Sequence, residues 1–224
     1  MVELGMDLSE KYPQIKEYHE ALVREGIRPT DVEVGRKEQW LALILDLPSE
    51  VKDLMGARVR KMGGGSVFWQ DPGSYHVTLQ GSRVDEVNAM TLEKAAKVLT
   101  GDMPEILGGL SKVEAKLVYP IVGQTGVYGV VNEGVEEIRE MRRAVFGKWK
   151  EFGVEVAKGF GANSLPMVFL GRFVRQPTEV EMRQLLQMEE TWREPVVLDR
   201  VMLNWADKFQ TSATRQVLGE WSLK

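Results

Sequence analysis

Tyr75-His76-Val77-Thr78-Leu79 places an imidazole and a hydroxyl two residues apart in a stretch that reads as a β-strand. Strand side chains alternate faces. His76 and Thr78 therefore point one way, and Tyr75, Val77 and Leu79 the other. An imidazole moves a proton near neutral pH, and a threonine hydroxyl donates to a phosphate oxygen. Together they amount to half of a phosphate-handling site, and the other half must come from elsewhere in the chain. The plain alternative is two half-buried strand residues bonded to nearby backbone.

The elements that must position this pair follow from patterning. Ser9 to Glu25 reads as a helix, with Tyr12, Ile15, His19, Leu22 and Val23 on one stripe. With the polar connector that follows it, residues 1–37 form an appendage to a domain spanning 38–224. Gln39 to Leu47 reads as a buried strand. Ser49 caps a helix to about Met62, which Gly63-Gly64-Gly65 stops. Short strands over Ser66–Gln70 and Tyr75–Gln80 flank an Asp71-Pro72-Gly73 turn. Met90–Leu99 is a helix, and Val113–Val122 and Gly126–Val131 form a strand pair. Glu133–Phe152 is an amphipathic helix, on which Arg139, Arg142 and Arg143 belong to a solvated face interleaved with Glu. Pro166–Phe173 is a strand, Thr178–Trp192 a helix capped by Thr178, and Val196–Asn204 and Val217–Leu223 closing strands. Strands joined by short turns among helices point to an α+β fold with a mixed or antiparallel sheet.

Composition narrows the function classes. The 224 residues carry a net charge of -4, which argues against a broad basic surface for non-specific nucleic-acid binding. Recognition of a single nucleotide or an RNA end remains open. The absence of cysteine excludes disulfides and thiolate metal sites, and two histidines argue against a polyhistidine metal site. Neither a metal nor another cofactor is implied. Met1 to Gly5 lacks the regions of a signal peptide, and Trp40–Leu45 is too short to span a membrane, so a cytoplasmic protein without membrane association is expected. Gly63-Gly64-Gly65 is not followed by Gly-Lys-Ser/Thr and is not a P-loop.

The order of four segments resembles the two-histidine (2H) phosphoesterase superfamily, which includes RNA 2′,3′-cyclic phosphodiesterases and the 2′-5′ RNA ligases. Trp40–Pro48 resembles the family's opening strand and the proline after it. Val67–Leu79 resembles its first His-x-Thr motif and lead-in. Leu165–Phe173 resembles the frame of its second motif, and Leu198–Leu203 with Val217–Leu223 its C-terminal strand pair. The resemblance covers about residues 38–224. It implies a bilobed, pseudo-symmetric fold with a His-x-Thr strand from each half facing a central cleft.

The second motif departs from the family pattern. Where the family has Pro-His-x-Thr-Leu, this chain has Pro166-Met167-Val168-Phe169-Leu170. The family mechanism uses two imidazoles, one as base and one as acid, each typically giving about 10²–10⁴-fold in rate. Methionine does neither job. Met167 and Phe169 then form an apolar half of the cleft, either as core packing or as a platform for a planar ligand. The ligand-facing set is His76 and Thr78 with Tyr75, Met167, Phe169 and Arg172. Strand parity sets Arg172 opposite Met167, which gives it an ion-pair role unless a bulge at Gly171 turns it. His19, the other histidine, is explained by packing on its helix.

Three readings follow. The first is a degenerate relative that binds a nucleotide or RNA-end phosphate and hydrolyses it weakly or not at all. The second is an active phosphodiesterase pairing His76 with an unidentified acid or base. The third is a protein-interaction module on the same scaffold.

Overall fold

The segment QWLALILD lacks alternation, as expected of a strand covered on both faces. It forms β1 (Gln39–Asp46), buried from Leu41 onward. The structure, a computed structural model, describes residues 20–85, 89–151, 163–186 and 192–224. β1 lies between β3 (His76–Val84) and β8 (Arg200–Asp207), and β8 also pairs with β9 (Gln216–Ser222). The second sheet contains β2 (Val67–Trp69), β4 (Val113–Val122), β5 (Gly126–Glu133), β6 (Met167–Phe173) and β7 (Trp192–Leu198). The sheet orders are β3-β1-β8-β9 and β2-β6-β5-β4-β7, and every pairing is antiparallel. The architecture is α+β.

The named helices are α1 (Val32–Lys37), α2 (Ser49–Val59), α3 (Ala89–Leu107), α4 (Val135–Glu151) and α5 (Glu179–Leu186). One continuous apolar core joins Leu41, Leu43 and Leu45 of the first sheet, Val130 and Leu170 of the second, and Leu92, Leu99, Ile138 and Val145 of the helices. Residues 20–25 are helical. The chain that follows docks on the second sheet, with Arg28 N–H donating to Gln124 O (2.8 Å) and Thr30 N–H to Phe173 O (2.6 Å). His19 and the start of the expected first helix lie outside the described residues.

Four local readings are corrected. Pro48, not Ser49, is the N-cap of α2, because its carbonyl already accepts from Val51 N and Lys52 N. α3 continues past Leu99 through Gly101 and Pro104, since Met103 and Leu107 extend its buried stripe. α5 has the expected cap, in reciprocal form: Glu181 N–H donates to Thr178 Oγ1 (3.2 Å) and Thr178 N–H to Glu181 Oε2 (2.8 Å). Trp192, however, opens β7 rather than closing that helix. The segment Val196–Asn204 is two strands broken at Asp199, one in each sheet.

Candidate functional site

β3 is the outer strand of its sheet and runs close to β6 of the other. Both strands carry an extra residue at the same place. Across β1–β3, Leu43 faces Gln80 and Ile44 faces Thr78, so Leu79 has no opposite number. Across β5–β6, Val127 faces Gly171 and Tyr128 faces Phe169, so Leu170 has none. Each bulge follows the third residue of its motif. Met167 and Phe169 thus hold the positions on β6 that His76 and Thr78 hold on β3. A bulge also resets the alternation of faces. Beyond Leu170, Arg172 returns to the side of Phe169, while Val168, Leu170 and Phe173 are buried on the other. A Cβ at Gly126 would collide with the Gly171 carbonyl oxygen, so glycine there lets β5 follow the bulge.

His76 is half-buried and held at both ring nitrogens. Nδ1 lies 2.6 Å from Ser74 O and Nε2 3.1 Å from Thr78 Oγ1. A carbonyl only accepts, so Nδ1 carries the proton and the Nε2 lone pair receives the threonine hydroxyl. Burial pushes the imidazole pKa down to about 4. The Arg215 and Lys52 cations add to this, and the Ser74 carbonyl and Asp46 oppose it. At neutral pH His76 is an uncharged base. Asp46, its cross-strand neighbour, is engaged elsewhere: Lys52 Nζ donates to it at 2.6 Å and Arg200 pairs with its other oxygen.

His76 and Thr78 line a cavity of about 50 Å³ with Trp40, Phe169, Arg172, Phe209 and Gln210. Arg172 lies between two rings, its Cζ 4.0 Å from the Phe169 centroid and 5.1 Å from that of Phe209. Burial lowers the guanidinium to about 10. No ion pair of Arg172 occurs among the described residues, and its Nε, Trp40 Nε1 and Gln210 Oε1 are buried with no hydrogen-bond partner there. The ion-pair role expected of Arg172 is therefore corrected, because the bulge turns the side chain into the cavity.

Of the residues expected at the site, His76, Thr78, Phe169 and Arg172 come together. Met167 sits half-buried against the core and does not line the cavity. Phe169 is not an open platform, since Arg172 covers it and Tyr128 meets it edge-on at 4.8 Å. Tyr75 faces away from His76 into a second, larger cavity. Arg142 is not on a solvated face. It is buried on α4, donating to Thr78 O (2.8 and 3.2 Å) and to Ser164 Oγ (3.0 Å) and O (2.5 Å). Its spacing from Ile138, Val145 and Trp149 puts it on the buried stripe, a signal present in the sequence. Trp40 shares the strand face of Ala42, readable once β1 is placed. Phe209 and Gln210 belong to a loop with no such pattern.

The fold has counterparts among solved structures. A phosphoesterase superposes with a TM-score of 0.54 over 83% of this chain and 99% of its own, at 16% identity. E. coli LigT in its apo form gives 0.55 over 84% and 98%, at 14% identity. The fold is 2H-phosphoesterase-like. LigT complexed with 3′-AMP superposes similarly, at 0.51 over 84% and 99% with 15% identity. No protein-family model matches the chain, and no curated protein matches it by sequence. No helix among the described residues is long and apolar enough to cross a membrane.

Proposed function

We propose that the protein is a degenerate 2H-phosphoesterase-like protein. It holds the phosphate of a nucleotide or RNA end in the cavity between β3 and β6, and hydrolyses it weakly or not at all. One observation carries this reading: a desolvated Arg172 guanidinium without a carboxylate partner among the described residues shares the cavity with His76 and Thr78. A buried cation without a counter-charge is costly, and an oxyanion meets that need. The unpartnered Trp40 indole N–H adds a donor of the right kind. The volume suits a phosphate group with its nucleoside outside. The 3′-AMP complex of LigT supports the ligand class.

The same cavity argues against efficient hydrolysis. No carboxylate and no second imidazole line it among the described residues. Asp46 and Lys52 stand on the His76 side and are bonded to each other, so neither opposes His76 across a bound phosphate.

The test pairs turnover with binding. Incubation with 2′,3′-cyclic nucleotides and 2′-5′-linked dinucleotides is expected to give no turnover above background. A nucleoside 3′-monophosphate is expected to bind, with affinity lost in His76→Ala and Arg172→Met. Clear turnover abolished by His76→Ala would overturn the non-catalytic half, and binding unchanged by Arg172→Met would overturn the other.

A further inference from the structure

Tyr75 follows Ser74 into the motif strand, yet its side chain lies on the opposite side from His76. It lines a cavity of about 570 Å³, within the range of about 300–1,000 Å³ usual for small-molecule sites. Gln70 borders both cavities. Phe68 lines the larger and Phe209 the smaller, their ring centroids 6.1 Å apart, so the two spaces lie back to back.

The larger cavity has free donors in its lining. The Tyr75 side chain is fully buried, and its hydroxyl has no partner among the described residues. Burial holds its pKa above the usual phenol value, so it stays protonated and able to donate. Arg60 anchors Nε on Gly56 O (3.0 Å) and forms no ion pair among the described residues, leaving its terminal nitrogens available. Of the two carboxylates of the lining, Asp207 is served on both oxygens, by Phe209 N (2.9 Å) and Thr211 Oγ1 (2.8 Å), and Asp71 accepts on Oδ2 from Ser212 Oγ (2.6 Å). Trp69 Nε1 is likewise spent on Gly63 O (3.2 Å). Phe68, Trp69 and Tyr75 supply flat apolar surface, which favours a planar partner.

We propose that this cavity binds a planar aromatic ring carrying an anionic group, with Tyr75 Oη–H and the Arg60 guanidinium as its recognition groups. The ring packs on the aromatic wall and the anion meets the free cation. The site is independent of the smaller cavity and of any phosphate held at His76.

Isothermal titration with 5′-AMP (ring and anion), adenosine (ring alone) and inorganic phosphate (anion alone) tests this. 5′-AMP is expected to bind more tightly than either fragment. Tyr75→Phe and Arg60→Gln are each expected to weaken it about tenfold, the loss typical of a hydrogen bond to a charged group. The titrations use the His76→Ala, Arg172→Met protein, in which the phosphate site proposed in the smaller cavity is removed, so that only the larger cavity is read. Tyr75→Phe removes an unsatisfied hydroxyl and is expected to keep at least the wild-type melting temperature. No 5′-AMP binding at millimolar concentration overturns the proposal. So does affinity unaltered by Tyr75→Phe, or a marked drop in melting temperature for Tyr75→Phe, which would give the hydroxyl an internal partner.

Discussion

His76 is a neutral base by tautomer and by burial alike, and this has a sign in pH. The unfolded imidazole takes up a proton near pH 6.5, whereas the folded one does so only near 4. As the pH falls through that window the unfolded chain binds the proton first, so folding stability drops; above pH 6.5 neither state is protonated and the effect vanishes. At about 1.4 kcal/mol per pH unit, the loss is at most about 3 kcal/mol by pH 4. Denaturant unfolding between pH 4 and 8 should show this limb in the wild type, and His76→Asn should flatten it. Arg215, Lys52 and Asp46 set the field at the ring, and a bound phosphate in that field should raise the His76 pKa, which NMR titration of the imidazole would read directly. At this scale the sequence was half legible. Period-2 alternation put His76 and Thr78 on one face, and the family resemblance pointed to Met167 and Phe169 as the corresponding positions. Arg172 was misread because one unpaired residue, Leu170, reverses parity between the motif and the arginine.

α4 is tied to the motif strand through Arg142, whose guanidinium satisfies the Thr78 carbonyl and the Ser164 backbone at once. Thr78 closes a hydrogen bond with His76, so this helix positions the site without touching its cavity. Arg142→Met keeps the apolar stem but strands two carbonyls. It should cost about 2–4 kcal/mol in urea unfolding. Arg142→Lys, which keeps the charge but cannot fork between both carbonyls, should fall between. Strands and helices were readable wherever apolar periodicity ran unbroken, as in β1 and α4. Boundaries failed where local punctuation competed with packing. Gly101 and Pro104 look like a stop, but the buried stripe carries α3 through them. Two apolar runs, Val196–Leu198 and Val201–Leu203, read together as one strand and hide Asp199, the single residue at which the chain changes sheets.

At the scale of the whole molecule, the two motif strands match in frame and differ in the residues they carry. Matching bulges in β3 and β6 mean that placing a His-x-Thr on β6 needs no backbone change. Met167→His with Phe169→Thr should therefore raise hydrolysis of a 2′,3′-cyclic nucleotide by about 10²-fold over the wild type, with the gain abolished by His76→Ala. The fold was legible at this scale because four motif segments occur in family order, whereas the closure of the cleft by Phe209 was not, since it depends on a loop lying against Gly35. The lead-in strand of the first motif, β2, is hydrogen-bonded to the strand of the second, β6, and β7 and β8 cross between sheets over one residue. Neither half can open without tearing backbone pairing in the other. Unfolding should consequently be a single cooperative event, with amide protons of β3 and β6 exchanging at one common, global rate rather than sheet by sheet.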